Sequence, residues 1–156
     1  MADFVIVRMF GGDQEKISVA EIAAAVRDLS SLSNWHGVQV FPDAQRAPDG
    51  TWQFPRLGVG WSPEGDGYLV QCYESVESRS HLLITGAPFS EPEIPMMVGF
   101  LFLELWPRQC FVTYERALKA VLHFVETGSL HPSLEWAGLN EFPRRPRITR
   151  FPPSSR

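Results

Sequence analysis

The chain has 156 residues, 44% of them hydrophobic and 21% charged, with a formal net charge of −4. That length suits one domain with a core of its own, and the balance excludes a disordered or fibrous chain. Two cysteines are too few for a disulfide framework, and no apolar run approaches the roughly 20 residues that span a bilayer.

Residues 3–10 read as a strand, with Phe4 and Ile6 on one face and Val5, Val7 and Met9 on the other. Apolar residues on both faces suit a strand inside a sheet. Met1-Ala2-Asp3 is acidic, and Phe4–Val7 is too short for a signal-peptide core. The expectation is a cytoplasmic chain with Cys72 and Cys110 as reduced, partly buried thiols. Gly11-Gly12-Asp13 is a turn. Residues 18–32 form an amphipathic helix: Ser18 and Glu21 make a capping box, and Val19, Ile22, Ala23, Val26 and Leu29 its buried stripe.

Val38–Phe41 is a short strand, and 42–50 a polar loop. Trp52–Trp61 and Tyr68–Tyr73 are the arms of a hairpin across residues 62–67. Pro55 sets the start of the first arm at an edge or bulge. His81–Thr85 is a further strand, and 86–95 a loop stiffened by Pro88, Pro92 and Pro95. Met96–Trp106, the most apolar run, reads as a central strand with Glu104 on its aromatic face. A carboxylate buried there must find a donor or take up a proton.

Residues 113–136 carry the clearest pattern. Leu118, Val121, Leu122 and Val125 recur at i, i+3, i+4 and i+7, which puts them on one helical face. Ala117, Phe124 and Tyr114 widen it. Thr113 caps the first turn, Gly128 stops the helix, and Pro132 prevents its resumption. Leu134 and Trp136 then alternate as in a strand. Ala117, Phe124, Val125, Thr127-Gly128, Pro132 and Leu134-Glu135-Trp136 together resemble the C-terminal signature of a bacterial immunity-protein family. That family neutralises toxin domains of polymorphic toxin systems, often nucleic-acid deaminases. The resemblance extends weakly to Gly65-Asp66-Gly67-Tyr68 and hardly to the N-terminal half. It implies an α+β fold, a binding role without catalysis, and a cognate toxin domain as partner.

Residues 143–156 hold five arginines and no acid, which makes them a flexible Arg/Pro-rich tail to a single domain over residues 1–142. The body is left with nine basic and 18 acidic residues. Residues 64–104 contain seven acids against Arg79 alone. Such a surface steers a basic partner and repels nucleic acid, although the charges could serve solubility alone. The expected contact residues are Asp66 in the hairpin, Tyr73, Glu74 and Glu77 beyond it, and Phe89, Glu91 and Glu93 in the proline loop.

Catalytic patterns are sparse. His36, His81, His123 and His131 show no metal-ligand spacing, so no metal and no cofactor is expected. Gly58-Val59-Gly60 lacks the third glycine and the helix of a dinucleotide fingerprint. A Cys–His dyad assembled in space stays open. The fold expected is α+β: a mostly antiparallel sheet of about five to seven strands with two helices on one face. Three functional readings follow. The first is an inhibitor of a toxin domain, with no direct nucleic-acid or membrane contact. The second is a small ligand-binding or enzymatic domain with a pocket lined by Trp52, Trp61, Trp106 and Trp136. In the third, the arginine-rich tail docks an acidic partner.

Overall fold

The computed structural model describes residues 4–9, 14–31, 37–41, 55–74, 80–85, 93–98, 102–142 and 148–150. In chain order its elements are β1 (Phe4–Met9), β2 (Gln14–Ser18), α1 (Val19–Asp28), β3 (Gly37–Phe41), β4 (Arg56–Ser62), β5 (Gly67–Tyr73), β6 (Ser80–Leu83), β7 (Glu93–Val98), β8 (Phe102–Pro107), β9 (Phe111–Val112), α2 (Tyr114–Thr127), β10 (Trp136–Gly138) and β11 (Ile148–Arg150). The class is α+β, as the sequence predicts.

Local chemistry sets both helices. Ser18 caps α1, its Oγ accepting from Glu21 N–H at 3.3 Å. Thr113 does the same for α2 through Arg116 N–H at 3.3 Å. Gly128 ends α2 at φ +73°, a left-handed conformation that costs glycine nothing sterically. The buried face of α2 is Ala117, Ala120, Val121, Phe124 and Val125. It is rotated from the predicted stripe: Leu122 is 38% exposed, and Phe124, only 1% exposed, takes the central place. The spacing fits either stripe, and the sheet selects the one that buries the larger ring.

All strand pairs among the described residues are antiparallel. The large sheet has the order β10-β6-β5-β4-β3-β1-β2. β5 is shared along its length: Tyr68 and Leu69 pair with β9, whereas Gln71–Tyr73 pair with β6. Alternation along the strands sends Val38, Val40, Leu57, Val59, Tyr68, Val70, Cys72 and Leu83 to the helix-covered face, where they pack with Ile22, Val26, Leu29 and the α2 stripe. The opposite face builds a second cluster from Leu69, Leu82, Ile84, Ile94, Trp106, Cys110, Phe111, Ala137 and Phe142. Burying Phe124 alone contributes about 1.5–3 kcal/mol by area.

The second cluster rests on a feature that differs from the sequence reading. The sequence reads residues 93–106 as a loop end followed by one strand. They form instead the hairpin β7–β8 in a three-stranded sheet of order β11-β8-β7. Pro95 sits in the edge strand β7, where a missing N–H is tolerated. β11 pairs with β8 through Ile148↔Glu104, Thr149↔Leu103 and Arg150↔Phe102. Three residues of the segment expected to be flexible therefore belong to a strand. β2 and β9 were also absent from the sequence reading, and α1 is followed by a 3-10 turn over Leu29–Ser31 rather than reaching residue 32 as a single helix. Trp52 lies outside the described residues.

Candidate partner-binding surface

The β4–β5 connection is a four-residue turn, Pro63-Glu64-Gly65-Asp66. Asp66 N–H donates to Pro63 O at 3.3 Å and closes the turn. Gly65 N–H donates to Ser62 Oγ at 3.2 Å. Asp66 has φ +47°, a left-handed value that Asp tolerates better than most residues. The turn is seated on the second core. A Cβ built on Gly65 would lie 2.9 Å from Phe111 Cδ1 and Cγ and 3.0 Å from Ile94 Cγ2. Glu64 and Asp66 point out from this base and are exposed.

Beside the turn, on the helix-covered face, lies an aromatic cluster. The Trp61 and Tyr68 rings meet edge to face with centroids 5.0 Å apart, and Tyr68 and Tyr114 lie at 6.1 Å. Tyr114 OH donates to Ala23 O at 3.0 Å and accepts from Arg27 Nη2 at 3.3 Å. The Arg27 guanidinium stands 5.2 Å from the Tyr114 centroid. Tyr68 OH donates to Arg27 O at 3.4 Å, and burial pushes its phenol above the ordinary value. Trp61 and Tyr114 are half-buried, and Arg27 is exposed. A Trp–Tyr–Arg cluster is the composition that protein interfaces favour.

The structure divides the predicted contact residues. Asp66 is at the turn, and Glu93 opens β7 next to Ile94, which touches that turn. Tyr73 and Glu74 are at the far end of β5. Seven residue-to-residue steps of extended strand take the chain from Asp66 to Tyr73, about 23 Å at 3.3 Å per step. Tyr73 is half-buried beneath Arg56, whose guanidinium lies 4.6 Å from the ring centroid. Desolvation lowers the Arg56 pKa, and Tyr73 opposes that shift. Glu74 is exposed, with Oε1 3.1 Å from His81 Nε2. Glu77, Phe89 and Glu91 lie outside the described residues. Glu64, Trp61, Tyr114 and Arg27 were not among the predicted contacts. Their signal in the sequence was the aromatic pair at both feet of an acidic turn.

Cys72 pairs in register with His81, which in turn contacts Glu74. Among the described residues this is the nearest approach to a nucleophile, base and orienting acid. Cys72 is 2% exposed, and burial, with help from Glu74, pushes its thiol up to about 12. Burial pushes the Cys110 thiol up to about 12 as well, and both cysteines are free. Thiols held there are protonated at neutral pH and are poor nucleophiles. Among the described residues no group of three or more His, Cys, Asp or Glu side chains could hold a metal ion. The three described tryptophans of the proposed aromatic pocket do not converge. Trp61 and Trp136 pack on the helix-side core, and Trp106 meets Phe142 in the other. A groove of about 370 Å³ does lie along α2, lined by Thr85, Glu115, Arg116, Lys119, Ser133, Leu134 and Glu135.

No protein-family model matches the chain, and no curated protein matches it. No helix among the described residues is long and apolar enough to cross a membrane.

Proposed function

We propose that this chain binds and inhibits a cognate bacterial toxin domain that acts on nucleic acid, occluding its active site or substrate cleft. The resemblance of the 117–136 segment to immunity proteins supplies the partner class. The observation that carries the mode of binding is the β4–β5 turn. Its two exposed acids, Glu64 and Asp66, stand on a seat fixed by Phe111 and Ile94, and at the foot of the same hairpin Trp61 and Tyr68 join a cluster with Tyr114 and Arg27.

The physics is that of a rigid acidic plug. A cleft that holds nucleic acid is basic, and carboxylates on a fixed turn can replace phosphate charge there. The acids set encounter rate and specificity, and the desolvated aromatics supply most of the affinity. A turn that is ordered beforehand loses little conformational entropy on docking.

The test is the double variant Glu64→Lys/Asp66→Asn, measured against the toxin domain encoded beside this chain. Asn keeps the left-handed position available, so the turn survives while its charge reverses. Association should slow roughly tenfold and lose most of its salt dependence. An unchanged association rate and unchanged protection of cells would overturn the acidic-turn mode. Failure of the unaltered chain to bind would overturn the toxin reading itself.

A further inference from the structure

After Gly128 the chain turns back along the outer side of α2. His131 lies against His123, with ring centroids 4.6 Å apart and planes tilted by 51°. His131 Nδ1 lies 3.1 Å from Ser133 N, whose N–H donates to it, and 2.9 Å from Ser133 Oγ. A ring nitrogen that accepts a backbone N–H carries no proton, so the hydroxyl donates as well. The imidazole is therefore neutral, with its proton on Nε2. The carbonyl of the same residue accepts from Leu134 N–H at 3.2 Å and from Trp136 Nε1–H at 3.3 Å. One residue thus ties its own turn together through its ring and holds the ring of Trp136 through its backbone.

Two imidazoles at this separation suggest a divalent metal, but the hydrogen bonds argue against it. Metal on Nε2 would move the proton to Nδ1, where the Ser133 N–H already points. The arrangement suits proton sensing better. The charged groups that act on the ring are His123 and Lys119, both on α2 and both cationic when protonated. Partial desolvation first, then these two neighbours, hold the His131 pKa below the ordinary imidazole value.

We propose that the 131–135 turn is an acid-released latch on α2. Protonation of His131 at Nδ1 removes the acceptor of Ser133 N–H and sets a cation against His123 and Lys119. The turn then separates from the helix, which opens the groove walled by Ser133, Leu134 and Glu135. Trp136 and the start of β10 lose their tether, and β10 is the edge of the large sheet, pairing Trp136↔Leu83. The sign follows from linkage. A histidine whose folded pKa is depressed stabilises the closed state fully above its unfolded value of about 6.5, and this is lost as pH falls. The device does not depend on what the chain binds.

The test is amide exchange at Ser133, Leu134 and Trp136 between about pH 7 and pH 5, corrected for the intrinsic rate, with NMR titration of the His131 ring. In the unaltered chain exchange should quicken roughly tenfold toward the acid side, with its midpoint at the His131 titration. His131→Asn keeps an acceptor but cannot protonate, and its profile should be flat. It leaves His81 and Glu74 in place, so their titration cannot imitate the result. The same quickening in His131→Asn would overturn the proposal, as would a midpoint in the unaltered chain away from the His131 titration. An unaltered chain whose corrected exchange stays flat would overturn it too.

Discussion

Phe111 lies directly beneath Gly65, so close that a Cβ there would come within 2.9 Å of its ring. The ring is 7% exposed and belongs to the second core, and Ile94 closes the other side at 3.0 Å. Neither neighbour can yield without disturbing packed side chains. Gly65→Ala is expected to cost about 1–3 kcal/mol, read as a lower urea midpoint at unchanged slope. If the chain acts as the proposed toxin inhibitor, the same variant should also weaken inhibition, because it tilts the acidic turn off its seat.

Asp66 separates backbone from charge. At φ +47° an ordinary side chain is strained, so Asp66→Ala should lose about 1 kcal/mol. Asp66→Gly should hold or gain stability, since glycine meets no such penalty. All three substitutions at this site, to Ala, Gly and Asn, should slow association with a basic partner. Parallel melting and binding series would reveal the split.

The rotated stripe of α2 is open to direct measurement. Phe124→Ala removes a ring that is 1% exposed and should cost about 3–5 kcal/mol. Leu122→Ala, at a position 38% exposed, should cost well under half of that. Equal losses in denaturation experiments would restore the stripe centred on Leu118 and Leu122.

The two buried thiols predict a falling stability at alkaline pH. Burial pushes both up to about 12, from an ordinary thiol value of about 9.0. Above pH 9 the unfolded chain therefore releases protons that the folded chain retains, and stability falls as pH rises toward 12. Each thiol contributes a slope of up to about 1.4 kcal/mol per pH unit in that window. Native chain should also resist thiol-specific reagents at neutral pH and react fully once unfolded. The variant pair Cys72→Ser and Cys110→Ser, measured by denaturation across the same range, should flatten the alkaline slope.

Elements with punctuation at both ends were legible in the sequence. α2 has Thr113 before it and Gly128 after it, and the hairpin turn has Pro63 and Gly65. The β7–β8 pair was hidden because residues 94–106 are almost continuously apolar, with Pro95, Gly99 and Glu104 as the breaks and no alternation to show a reversal. β11 has three residues between prolines, too short for any periodic signal. In the candidate surface, the acids were visible but their grouping was not. Asp66 and Tyr73 are near in sequence, yet an extended strand places them at opposite ends. Trp61 and Tyr68 escaped notice as partners because their contact exists only once the hairpin has closed in its Trp61↔Tyr68 register.

The proposed toxin-inhibitor role is tested most directly by titrating the purified chain against a nucleic-acid-acting toxin domain from a neighbouring reading frame, following complex formation and toxin activity together. The account predicts a stable complex in which activity falls to background, with an affinity that weakens steeply as salt is raised and that drops in Glu64→Lys/Asp66→Asn. A toxin domain that stays fully active at saturating concentrations of this chain, with no complex formed at low salt, would contradict it.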